Sequence, residues 1–320
     1  MNLLQQLTPL NLNEEKQKFF ADQTYNPQFV YAEQIDQAKL EQYPKPTPEL
    51  LELAEHIVAK NVSETTEAEL EKKFGRLLTQ QEVTQKAFTF LKVHGLEDRI
   101  TIIWSASFVS RASINKDVLK LKSLSVFREL ETAGMLFHEI GTHALRQVNY
   151  EQQPWYLKKK KYGFGNYLET EEGLATLHSL LPVGDKSLYK SAVRYLAVHF
   201  SQTLTFAELW NYLTPLVSDE EECWMVVLRQ KRGLTDTTLE GQFTKDALYF
   251  SGAVRMARWL QKNNFDLTSL YYGKVATEDV QKAIELNSYF SPKLPSFFST
   301  GKESYKNKIM EIITQNELTK

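Results

Sequence analysis

Two histidines five residues apart, His138 and His143, constrain this chain more than any other feature of its sequence. They lie in residues 134–146, GMLFHEIGTHALR, with Glu139 beside the first, giving the pattern H-E-x-x-x-H. Imidazole nitrogen is a good zinc ligand, and a carboxylate next to the first ligand can reach water at such a metal. A regular helix presents ligands four apart on one face. Five residues turn about 500° at ~3.6 residues per turn, leaving the side chains roughly 140° apart. Both histidines can therefore reach one metal only if the helix ends, bulges or unwinds between them. Gly141 is the residue best suited to that distortion, because it has no side chain to restrict the backbone. The bland alternative is a histidine pair on a buried helix beside an incidental surface glutamate.

A second acidic segment follows at 169–177, ETEEGLATL. Thr170 can cap a new helix, with Glu172 in its first turn, and Gly173 and Ala175 are small enough to let that helix approach another closely. A histidine pair on one helix and a glutamate on the next is the plan of zinc hydrolases that keep a fourth position open to water. Glu169 and Glu171 meet the same requirement, and acids at a helix N-terminus also serve the helix dipole.

Around these segments helix signals dominate. Thr47-Pro48-Glu49 predicts a helix start, Thr79 with Glu82 has capping-box spacing before a helix that Gly95 can stop, and Ser218 with Glu221 repeats the device before a helix closed by Gly233. Further helices are expected at 187–201, 205–216, 245–263, 277–287 and 302–316. Only 99–104, RITIIW, and VLKLK at 118–122 read as sheet, and they suggest an antiparallel pair with one face on a core. The fold class expected is α+β and predominantly helical, with a small antiparallel sheet packed on the helices that carry the histidines. Residues 1–98 are expected to form a helical segment packing on a catalytic part at 99–320 as one compact unit, and the prolines at 44, 46 and 48 to mark a joint between an N-terminal helical segment and the rest.

Composition narrows the function classes. Lys+Arg 38 against Asp+Glu 40 leaves a net charge of −2, which argues against nucleic-acid binding through bulk electrostatics. A single cysteine, Cys223, excludes an internal disulfide framework and a multi-cysteine metal site. No apolar run is long enough for a membrane span, and the N-terminus lacks the features of a secretory signal, so a cytoplasmic location is expected. Four consecutive lysines at 158–161 read as a solvated loop. His56, His94, His178 and His199 are expected to be ordinary packed or surface histidines, and Cys223 to be buried.

HEIGTHALR followed by EEGLA resembles the microtubule-associated tyrosine carboxypeptidase family and its bacterial relatives with a QEGLA motif. NPQFVY at 26–31, SRASINKDVLKLK at 110–122, KRGLTDT at 231–237, FTKDALYFSG at 243–252 and LYYGKV at 270–275 extend the resemblance across most of the chain. The sequence departs at Glu171, where bacterial members usually have glutamine, and TTLEGQFTKD replaces a more glycine-rich stretch. The resemblance implies a zincin-like metallopeptidase holding Zn2+ through His138, His143 and Glu172, with Glu139 as general base, and it selects Glu172 over its neighbours. It implies a carboxypeptidase acting on a peptide or protein C-terminus, which needs an oxyanion donor and a cation for the terminal carboxylate. Tyr249 is the candidate donor, and Arg146, Arg232 and Lys245 are the candidate cations. Arg146 could equally pin the distorted helix. The competing reading is a zinc-binding regulatory protein that binds a partner with little or no catalysis. Retention of Glu139 argues against it, since a structural metal site has no use for a general base.

Overall fold

The computed structural model describes residues 3–61, 66–106 and 110–319. Contacts within it define two compact units, one spanning Met1–Glu64 and Leu188–Ser251, the other Thr65–Ser187 and Gly252–Lys320. Residue 98, where the sequence suggested a boundary, falls inside the second unit, just after the Gln80–Val93 helix. The reason is a long-range pairing that local patterns do not carry: the Pro48–Asn61 helix packs on Tyr189–Phe200.

The first unit is helical. Its core includes an aromatic cluster in which Phe19 stands 5.1 Å from both Phe206 and Trp210 and 5.2 Å from Trp224. Phe206–Leu213 opens with a full capping box between Thr205 and Glu208, which satisfies backbone donors the helix leaves unpaired. The helix Glu220–Lys231 is capped by Asp219, whose side chain accepts the Glu222 N–H, rather than by Ser218 one residue earlier. An aspartate in extended backbone is as good a cap as a serine, and its charge also favours the helix N-terminus.

The second unit carries the sheet. Strands β1 (Thr101–Ser105), β2 (Ala112–Asn115) and β3 (Val118–Lys122) lie in the order β1-β3-β2. β2 and β3 form a hairpin in which Asn115 faces Val118, with Lys116 at φ 50° in the two-residue turn. β1 joins the other edge of β3 in parallel, Thr101 opposite Val118. The sheet is therefore mixed: the antiparallel partner of VLKLK is β2, not the RITIIW segment. A two-residue turn forces its flanking strands together, which makes β2 the antiparallel partner of β3 and leaves the other edge of β3 to β1. Leu119 and Leu121 are fully buried while Lys120 and Lys122 face the other way, as the alternation predicts. β2 packs on residues 137–144 and so brings the sheet against the histidine helix.

The Gln80–Val93 helix has the Thr79–Glu82 capping box, and Gly95 ends it at φ 61° with Leu96 N–H bonded to Leu91 O. The molecule is thus α+β and predominantly helical. Among the described residues no helix is long and apolar enough to cross a membrane.

Candidate metal centre

Residues 129–151 form one continuous helix in three parts: α-helix over Glu129–Leu136, π-helix over Phe137–Ala144, and α-helix over Leu145–Glu151. The helix neither ends nor unwinds between the histidines; it widens. In i→i+5 hydrogen bonding each residue is linked to the one five earlier, so side chains five apart come to lie above one another. The Thr142 hydroxyl reinforces this by donating to Phe137 O, five residues back, at 2.9 Å. The rings of His138 and His143 stand with centroids 4.8 Å apart.

Gly141 lies inside the π segment, but its smallness serves a neighbour as well as the backbone. A Cβ there would stand 2.6 Å from Cε1 of Phe297, so the ring occupies the space a side chain would need. The Gly141 carbonyl accepts the Tyr271 hydroxyl at 2.6 Å, which pins the widened turn from the other side.

The helix Leu168–Leu180 packs directly on the π segment. It starts after Tyr167, and Thr170 is not its cap: its hydroxyl accepts the Thr277 N–H at 3.2 Å, inside the first turn. Gly173 meets Gly252 so closely that a Cβ would fall 2.1 Å from the Gly252 carbonyl carbon, which is the close helix approach its size suggested.

The three neighbouring glutamates have three different partners. Glu169 accepts from Arg255 at 2.9 Å. Glu171 is buried, with Oε1 2.9 Å from His143 Nδ1 and 3.0 Å from Lys274 Nζ, and Oε2 accepting from Arg146 Nη1. Glu172 turns toward the other side of the same imidazole, Oε2 lying 3.7 Å from His143 Nε2. One ligand atom each from His138, His143 and Glu172 fall within 4.8 Å of one another, so these three could hold a metal ion.

The electrostatics of these residues differ from one to the next. A carboxylate can only accept, so Glu171 fixes the proton of His143 on Nδ1 and leaves the Nε2 lone pair toward Glu172. Burial disfavours a charged His143, yet the Glu171 hydrogen bond and the Glu172 charge outweigh it and raise the pKa. Burial lowers the pKa of His138, which favours the neutral imidazole that ligation requires. Burial also works against a charged Glu171, but Arg146 and Lys274 hold its pKa well below the usual carboxylate range.

Glu139 is buried at 8% exposure, its Oε2 accepting the Ile114 N–H of β2 at 2.9 Å and its Oε1 4.0 Å from His138 Nε2. The sheet therefore orients the carboxylate that adjoins His138. Arg146 has no exposure; Nε donates to Leu270 O, Nη2 to Val275 O, and Nη1 to Glu171. Its guanidinium is shared among Glu171 and the carbonyls of Leu270 and Val275. Tyr249, Arg232 and Lys245 belong to the first unit, where Tyr249 is hydrogen-bonded to Arg229, Arg232 is 4% exposed against the Phe243 ring, and Lys245 is half-buried.

Sequence reading missed Lys274 and the roles of Glu171 and Tyr271. It also missed Lys159, whose ammonium sits 3.4 Å from the centroid of the Tyr167 ring and bonds to Lys274 O, while Lys158, Lys160 and Lys161 are exposed. His178 is packed as expected, Nδ1 2.7 Å from Thr142 Oγ1 and Nε2 3.1 Å from Tyr305 Oη. Cys223 is buried, and burial pushes its thiol up to about 12.

The family model for microtubule-associated tyrosine carboxypeptidases matches residues 19–314. Microtubule-associated tyrosine carboxypeptidase 1 of Rattus norvegicus is 33% identical over 325 residues, covering 99% of this chain and 69% of the relative. The protein of that name from Homo sapiens is 33% identical over 333 residues, covering 99% and 68%. MATCAP2 of Mus musculus is 32% identical over 328 residues, covering 99% and 62%. The chain therefore belongs to the microtubule-associated tyrosine carboxypeptidase family.

Proposed function

We propose that this protein is a zinc-dependent carboxypeptidase that acts in the cytoplasm and removes residues, aromatic ones among them, from the C-termini of peptides or proteins. The observation that carries the reading is the convergence of His138, His143 and Glu172 with Glu139 beside them. The relatives, named tyrosine carboxypeptidases, give the reaction class.

Two imidazoles and one carboxylate are a donor set that suits zinc, and His138, His143 and Glu172 would hold it. A zinc ion held there would supply Lewis-acid polarisation of a carbonyl and activation of water near neutral pH. Glu139 is the general base: it takes a proton from the attacking water and delivers it to the departing amine, a contribution of typically ~10²–10⁴-fold. The Ile114 N–H holds one of its oxygens, leaving Oε1 on the side of the ligands. Glu171 and Arg146 act through His143 by fixing its proton and orientation, and are positioning residues. Tyr249, Arg232 and Lys245 are given no role in this reading.

The test is mass spectrometry of a mixed peptide library incubated with zinc-loaded protein, alongside Glu139→Gln and a library blocked as C-terminal amides. Stepwise shortening of free C-termini by the wild type alone is the expected result. Equal cleavage by Glu139→Gln would remove the assigned base, and internal cuts would make the protein an endopeptidase. An untouched library from protein shown to hold zinc would favour a partner-binding role.

A further inference from the structure

Three buried polar side chains that the proposed reaction does not use line up behind the π segment. Tyr305, on the helix Lys302–Gln315, places Oη 3.1 Å from His178 Nε2. The other ring nitrogen, Nδ1, lies 2.7 Å from Thr142 Oγ1, and that hydroxyl donates to Phe137 O at 2.9 Å. Thr142, His178 and Tyr305 are all fully buried. The Phe297 ring, with its centroid 4.8 Å from that of His178 and 4.5 Å from that of Phe137, fills the space beside them.

The chemistry of these groups fixes where their hydrogens lie. A carbonyl oxygen only accepts, so the single Thr142 hydroxyl hydrogen points to Phe137 O. Thr142 Oγ1 must then accept from His178, which puts the imidazole hydrogen on Nδ1. The Nε2 lone pair is left for the Tyr305 hydroxyl. The bonds therefore run one way, from Tyr305 to Phe137, with one acceptor for each donor. Reversing any member would set two lone pairs or two hydrogens against each other, which a buried site does not tolerate. Burial pushes the His178 pKa well below the usual imidazole range and that of Tyr305 well above the usual phenol range, so the chain keeps its hydrogens. The receiving end is the significant one. Phe137 precedes His138 and Thr142 precedes His143, so the last bond joins the two turns that carry the histidines. In an α-helix a threonine hydroxyl returns to the carbonyl three or four residues back; here it spans five, the spacing of the π turn.

We propose that Tyr305, His178 and Thr142 are positioning residues, a one-way hydrogen-bond chain that holds the helix wide across residues 137–142 and so keeps the His138 and His143 rings side by side. Two other helices supply the first two members, His178 from Leu168–Leu180 and Tyr305 from Lys302–Gln315. The width of the turn is thus set from outside the helix that contains it. Without the Thr142 hydroxyl the segment is free to tighten toward α geometry, in which side chains five apart diverge by roughly 140°. The consequence for zinc rests on the function proposed above, whereas the chain itself belongs to the metal-free protein.

The test is NMR of the metal-free full chain carrying isotope-labelled histidine in a deuterated background, where there are only six imidazoles to assign. Signals lost in His178→Phe identify that ring. His178 is expected as the Nδ1–H tautomer with a slowly exchanging N–H, and the His138 and His143 rings are expected to show a mutual nuclear Overhauser contact, their centroids being 4.8 Å apart. Thr142→Val keeps the shape of threonine without its hydroxyl, and Thr142→Ser keeps the hydroxyl. The ring contact is expected to be lost in Thr142→Val and retained in Thr142→Ser. Zinc affinity by competitive titration is expected to fall ~10-fold or more in Thr142→Val and to change little in Thr142→Ser. Tyr305→Phe removes only the far bond; a mixed His178 tautomer and a weaker ring contact are expected, and this variant decides the matter if Thr142→Val fails to fold. An Nε2–H tautomer in the wild type would overturn the chain. So would an unchanged ring contact in folded Thr142→Val, or an equal loss in Thr142→Ser, which would assign the effect to volume and not to the hydroxyl. Wild type that binds no zinc would count against the metal reading alone, because the tautomer and the ring contact are read without metal.

Discussion

Glu171 and Glu172 are consecutive in sequence and face opposite nitrogens of one imidazole: Glu171 Oε1 lies 2.9 Å from His143 Nδ1, and Glu172 Oε2 3.7 Å from His143 Nε2. Replacing Glu171 separates the two jobs it does. Glu171→Gln keeps an oxygen for His143 but removes the charge that balances Arg146 and Lys274. Glu171→Ala removes both. Zinc affinity by competitive titration is expected to fall ~10–100-fold in Glu171→Ala. The fall is expected to be smaller in Glu171→Gln. Stability is expected to drop by ~3–5 kcal/mol in the alanine variant, because Arg146 is left buried without its partner.

Gly141 and Phe297 compete for the same volume, a Cβ at 141 falling 2.6 Å from the ring. Gly141→Ala is expected to destabilise by ~1–3 kcal/mol through overpacking. Phe297→Leu should recover part of that loss, giving a non-zero coupling in a double-mutant cycle read from urea midpoints. Simple additivity would mean that Gly141 is required for its backbone freedom instead.

The helices and their approximate ends could be read from the sequence because their signals are local. Thr79–Glu82, Gly95 and the alternation of VLKLK each act within a few residues. What escaped was set by partners far along the chain. The parallel β1–β3 pairing follows from a hairpin whose first strand, ASIN, has too weak a pattern to announce itself. The spacing of His138 and His143 demanded a distorted helix but could not choose among an end, an unwound turn and a π segment. Glu169, Glu171 and Glu172 are chemically alike, and only Arg255, Arg146 and Lys274, 25 to 103 positions away, tell the first two from the third. Nor could the lysine run reveal that Lys159 alone turns inward onto Tyr167.

Asp246 gives the first unit a definite acid response. Burial works to raise its pKa, but the charge and hydrogen bonds of Arg229 win and hold it far below the usual aspartate range. A carboxyl with a depressed folded pKa stabilises fully above its unfolded value, and that contribution is lost as pH falls from there toward the folded pKa. Asp246→Asn is expected to be less stable than wild type at pH 7 by ~3–5 kcal/mol. The gap should narrow as the pH is taken well below 3.8. Denaturant midpoints at several pH values measure it directly; a gap independent of pH would remove Asp246 as the titrating group.

Zinc stoichiometry tests the centre most directly. Purified chain, stripped of metal and dialysed against buffered zinc, is measured by elemental analysis beside His143→Ala, Glu172→Ala and Glu139→Gln. One zinc per chain in the wild type and in Glu139→Gln, with loss in the two ligand variants, is the predicted result. Wild-type protein that holds no zinc, or full occupancy retained in both His143→Ala and Glu172→Ala, would contradict it.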